Sequence, residues 1–198
     1  MTWQHRRRSR LVGAPLNVLA ILGGAGHNWF ERWAGVGMAL EPWLGRRASN
    51  FLWAIVPVHL VHRCDRQGHG DEAVLAFNAG VSVATVAVHF VDWPWSRRLG
   101  VVPWLQEAEG MEPRLLPAYN TVLLMWGISS AGAILVETRR SDLKYVIAGL
   151  LTFPLQLASA RHHFVWAQSH VFRAERQPVE GRVQGLCAGG AVTADPVG

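Results

Sequence analysis

Three stretches without Asp, Glu, Lys or Arg stand out along the chain: Leu11 to Phe30 with 20 residues, Ala73 to Val91 with 19, and Leu115 to Val136 with 22. Each is close to the ~20 residues that a helix needs to cross the hydrocarbon of a bilayer, so each predicts a spanning helix. Two further stretches are less regular. Ala48 to His62 has 15 residues and contains Pro57, which fits a short span, a re-entrant piece or an interfacial helix. Tyr145 to Ala160 is followed by Arg161 and then HHFVWAQSHVF, which predicts one long helix running past the bilayer. The expected fold class is all-α, a polytopic membrane helix bundle of five helices, or four if the second segment does not cross.

The segments between these runs complete the plan. Arg6, Arg7, Arg8 and Arg10 precede the first run, with no clear small-x-small cleavage site before HNWFERW, so the expectation is an uncleaved first span behind a basic segment 1–10. Four prolines with Glu107, Glu109 and Glu112 between Trp93 and Pro117 predict a structured interfacial loop. The helical domain is expected over 11–173, and a disordered, polar and glycine-rich tail over 174–198.

Within the runs, polar residues recur at helical spacing. Asn78, Ser82, Thr85, His89 and Asp92 follow steps of 4, 3, 4 and 3, which places all five on one face. Thr152, Gln156, Ser159, His163, Trp166 and His170 repeat the pattern, and Asn17, Ala20, Gly24, His27 and Glu31 do so more weakly. Polar groups in hydrocarbon are costly, so these seams are expected to face the bundle interior. If all five segments cross, the first, third and fifth helices run parallel and bring His27, Glu31, His89, Asp92, His163 and His170 toward one membrane face, where Tyr119 and Asn120 begin the fourth. The small and amide members read as helix-packing residues. His59 and His62 fall at the other end.

Composition sharpens this picture. Half the residues are hydrophobic and 17% are charged, below the ~25% usual in soluble domains. Ten tryptophans, several beside the apolar runs, suit the membrane interface. The net charge of +5 is spread over every connecting segment, which points to lipid headgroups and away from nucleic acid. Cys64 and Cys187 form no CxxC or finger spacing. Arginine and lysine counts balance across a five-span chain, and the N-terminal cluster beside the first span favours a cytoplasmic N-terminus in a multi-pass cell-membrane protein.

Three or more imidazoles with one or two carboxylates are donors for Fe, Mn or Zn. Without a metal, a carboxyl such as Glu31 or Asp92 in an apolar pocket could pass a proton to or from a lipid- or isoprenoid-like substrate. The histidine boxes of membrane desaturases, Walker loops, GxSxG, HExxH and GxGxxG are absent from the sequence. The expectation is a small membrane-embedded enzyme acting on a hydrophobic molecule through a His/carboxylate site at one membrane face. The alternatives are a non-catalytic subunit in an oligomer or partner complex, or a transporter or proton path.

Overall fold

A computed structural model describes residues 14–66, 68–91, 97–99, 104–108, 111–167 and 169. Helix α1 (Pro15–Trp33) opens on proline, whose missing N–H costs nothing in a first helical turn. The next two backbone donors, Leu16 and Asn17, reach the Glu137 carboxylate at 2.8 and 2.9 Å, and the Asn17 amide adds a bond of 2.8 Å. A carboxylate from the far end of another helix thus caps the positive end of the α1 dipole.

Helix α2 (Glu41–Arg66) is two helical pieces joined at Gly45, whose φ of 73° belongs to glycine. Helix α3 (His69–Val91) follows, and then a short antiparallel hairpin of β1 (Arg97–Leu99) and β2 (Leu105–Ala108). The Asn120 side chain docks this hairpin as a strand would: its oxygen accepts from Leu105 N–H at 2.8 Å while its amide donates to the Leu105 carbonyl at 2.8 Å. The loop expected between Trp93 and Pro117 therefore contains this two-stranded element, a small departure from the all-α class.

Helix α4 (Leu116–Gly132) runs into a π-helical turn, Ala133–Glu137. Helix α5 (Leu143–Leu150) ends in a turn at residues 151 and 152, and helix resumes over 153–167. The single long helix expected here is present as Arg140–Ala167, with a local turn at residues 151 and 152 because Pro154 has no N–H for the Leu150 carbonyl. Thr152 tightens the break with its backbone N–H and hydroxyl, both on the Gly149 carbonyl, at 3.1 and 2.6 Å.

The chain is a helical bundle with three helices long and apolar enough to cross a membrane: Gly70–Val91, Pro113–Glu137 and Arg140–Ala167. The first two match expected charge-free runs, and the third contains the last apolar run, Tyr145 to Ala160, where one long helix is expected. The first expected span is helical over its described part but is not in this set; Asn17, His27, Asn28, Glu31 and Arg32 make α1 less apolar than the other three.

Successive helices alternate in direction. Arg32 at the end of α1 pairs with Glu41 at the start of α2, whereas Cys64 near the end of α2 packs with Ala14 and Leu75 at the starts of α1 and α3. Helices α1, α3 and α5 therefore run parallel, with α2 and α4 opposed. Where α3 and α5 cross, Gly80 and Gly149 let the backbones touch: a Cβ on Gly80 would lie 2.3 Å from the Val146 carbonyl oxygen. Tyr119, Leu123, Trp126, Leu105, Met111 and Phe164 fill the core at the end where α4 begins.

Candidate active site

The parallel run of α1, α3 and α5 brings the polar ends of their seams together. His27 and Glu31 are one helical turn apart on α1 and both are buried, as is His89 on α3. The Nε2 atoms of His27 and His89 are 3.0 Å apart, and Glu31 Oε1 lies 3.2 Å from the first and 3.8 Å from the second. Tyr119, fully buried at the start of α4, donates its hydroxyl to Glu31 Oε1 at 2.8 Å and sits 3.1 Å from His27 Nε2.

The hydrogen bonds assign some of the protons. His89 Nδ1 lies 2.8 Å from the Thr85 carbonyl, which can only accept, so Nδ1 carries a proton and the neutral ring presents a lone pair at Nε2. Tyr119 spends its proton on Glu31, so toward His27 it offers lone pairs. His27 Nε2 thus has a nitrogen and two oxygens within 3.2 Å and at most one proton to share among them.

This cluster borders a cavity of about 430 Å³, within the usual ~300–1,000 Å³ range of small-molecule sites. The cavity extends along α3 from Asn78 to His89, eleven residues or ~16 Å of helix. Ile21, Val56, Pro57, Leu60, Val81 and Val88 make its walls largely apolar. Loop 34–40 closes over it with Ala39 and Leu40, held by Ala39 N–H to Asn28 Oδ1 at 3.3 Å and by Trp53 Nε1–H to the Ala39 carbonyl at 3.1 Å. Below that loop, Glu41 accepts from Arg32 and from Met38 N–H. Burial works against the charged carboxylate, but the Arg32 hydrogen bond, then Met38 N–H and the charges of Arg32 and Arg46, hold Glu41 below the usual carboxylate range.

Several polar atoms that border the cavity have no hydrogen-bond partner among the described residues: both ring nitrogens of His163, Nδ1 of His27, Nε1 of Trp126 and Nδ2 of Asn78. His163 is 5% exposed. Buried polar groups are seldom left unpaired, so these atoms mark the places where a bound molecule would supply partners.

Of the six residues expected at the site, His27, Glu31 and His89 meet directly, and His163 lines the same cavity from the helix after Pro154. Asp92 and His170 lie outside the described residues. His59 and His62 are exposed and apart from the cavity, His59 accepting from Arg63 Nε at 3.0 Å. The seam residues Ser82, Thr85, Gln156 and Ser159 border the cavity. Gln156 also ties its helix to α3 through Thr85 and the Val81 carbonyl, and donates to Thr152 within its own segment. The sequence pattern missed Tyr119 as a member of the hydrogen-bonded set, because an aromatic in an apolar run carries no polar periodicity. It also missed Trp126, which packs over Gly24 and stands 5.2 Å from His27, ring centre to ring centre. No protein-family model, curated protein or solved structure matches the chain.

Proposed function

We propose that this chain is a membrane-embedded enzyme acting on a hydrophobic, lipid- or isoprenoid-like molecule, with His27, Glu31, His89, Tyr119 and His163 as its reactive groups. The observation that carries this reading is the joining of two opposites: a hydrogen-bonded His/Glu/Tyr cluster opens onto an elongated apolar cavity, and His163, Trp126 and Asn78 in its lining carry buried polar atoms without a partner among the described residues. A packing role alone would favour pairing those atoms within the protein. The cavity's length suits a chain-like substrate, and its unpaired N–H groups on Trp126 and Asn78 suit an oxygen-bearing group on that substrate.

The five helices are proposed to cross the bilayer, α2 included, since it runs the length of the bundle between the ends of α1. The outward faces support burial in lipid: Ile128, Leu135, Leu151 and Leu155 are each at least 70% exposed, a pattern costly in water. In such a setting Glu31 and Tyr119 form a short proton path, with His163 lining the same cavity.

The test compares lipid-soluble extracts of cells expressing wild type, Glu31→Gln, His89→Asn and His163→Gln, each confirmed to insert and to extract as a monodisperse protein. A compound that changes with wild type and fails to change with each variant supports an enzyme. Extracts identical across all four would overturn the reading and leave a non-catalytic membrane subunit.

A further inference from the structure

We infer that His27, His89 and Glu31 bind one divalent first-row transition metal ion, such as zinc or iron(II), at the head of the apolar cavity. The inference names a cofactor for the site proposed above, and its measurement is independent of any activity.

Geometry is the first argument. The three donor atoms are separated by 3.0, 3.2 and 3.8 Å, and a circle through a triangle of those edges has a radius of about 2.0 Å, the bond length of such ions to imidazole nitrogen or carboxylate oxygen. Two imidazoles and one carboxylate are also a donor set that zinc and non-haem iron accept while keeping positions open. Those positions would be available to substrate or water on the cavity side.

Proton accounting is the second argument. His89 is oriented by its Nδ1–H on the Thr85 carbonyl, the outer contact that metal-bound histidines commonly make, and its Nε2 lone pair points at His27 Nε2. Tyr119 donates to Glu31 as an outer partner would. His27 Nε2 meets His89 Nε2, the Tyr119 oxygen and Glu31 Oε1 at once, and one cation at the centre of the two nitrogens and the carboxylate would draw on all three donor groups. The rings of His27 and His89 stand at 83° with centres 4.6 Å apart, so neither stacks on the other. The donor set is withdrawn from bulk solvent: the three residues are 3%, 6% and 3% exposed for His27, His89 and Glu31.

The test is elemental analysis of the full chain purified in detergent without chelators, beside His27→Ala, His89→Ala, Glu31→Gln and, as a distant control, His59→Gln. About one ion per chain is expected in wild type and in His59→Gln, with at least a tenfold fall in the other three. Because the alanine variants could lose their fold, chelator-treated wild type is also titrated with Co²⁺. Ligand-field absorption and a raised melting temperature are expected. Wild type holding less than a tenth of an ion per chain, with no Co²⁺ spectrum and no thermal shift, would overturn the inference. So would metal content that is the same in all five proteins, since the ion would then sit elsewhere. Metal present with unchanged cell extracts would support the ion and sink the enzyme. Metal absent with variant-dependent extracts would do the reverse.

Discussion

The crossing of α3 and α5 is the most sensitive joint in the bundle, and Gly149→Ala tests it. An added Cβ would lie 2.4 Å from the Phe77 carbonyl oxygen and 2.7 Å from the Val81 nitrogen. Both are backbone atoms, so no side chain can rotate away, and relief requires the helices to separate by about 1 Å, to ordinary van der Waals contact near ~3.4 Å. Overpacking of this kind costs ~1–3 kcal/mol, and backbone contacts place it at the upper end. Alanine returns about 1 kcal/mol of helix propensity, leaving a net loss of about 2 kcal/mol. For a chain of this size that corresponds to a fall of roughly 4–8 °C in melting temperature. Gly26→Ala is the control, because a Cβ there meets nothing within 4 Å; it should hold or raise stability. Thermal unfolding in detergent, followed by circular dichroism, reads both variants. The same displacement would pull Gln156 from Thr85 and the Val81 carbonyl, so any cavity-dependent activity should fall with stability. Gly149→Ala melting at or above wild type would refute the close crossing and the reasoning built on it.

Other outcomes follow from particular contacts. Because Glu41 is held below the ordinary carboxylate range, the ion pair with Arg32 stabilises the fold above ~4.3 and this contribution drains away as pH falls through the folded-state value. Glu41→Gln should therefore be less stable at neutral pH and show a flatter acid limb in melting temperature against pH; parallel curves would contradict the pairing. Asn120→Leu removes three hydrogen bonds, to Leu105 twice and to the Leu116 carbonyl, at a cost of roughly 1–3 kcal/mol for each buried group left unpaired. Limited proteolysis should then cut within residues 97–108 faster than in wild type, and unchanged cutting would show that the hairpin docks by other contacts. If α2 crosses the bilayer, single cysteines at Leu44 and Arg66, in a chain with Cys64 and Cys187 replaced by serine, should label from opposite sides of the membrane; labelling from one side would sink the five-span arrangement.

The local code determined a good deal. Apolar run length and the 3.6-residue repeat are properties of a helix by itself, so the helical class, the segments and the inward seams ending in His27, Glu31, His89 and His163 were legible from residue spacing. The turn at residues 151 and 152 was not anticipated, although Pro154 stands in the apolar run and removes a backbone donor from it. Spacing also assigned Thr85 and Gln156 to helix packing, which they do perform while bordering the cavity. What only the tertiary structure decided were the pairings between distant segments. No periodicity announces that Glu137 caps α1, that Gly80 meets Gly149, or that Tyr119 directs its proton to Glu31. Nor could spacing separate a histidine engaged with His27 and Glu31, as His89 is, from one that lines the same cavity with neither nitrogen paired among the described residues, as His163 does. The physical reason is range: helical periodicity reports which way a side chain faces over one or two turns, whereas a donor set closing to within 4 Å depends on how far each helix slides and rotates against its neighbours. That is fixed by close backbone contacts such as the α3 and α5 crossing, and these form between residues about seventy positions apart.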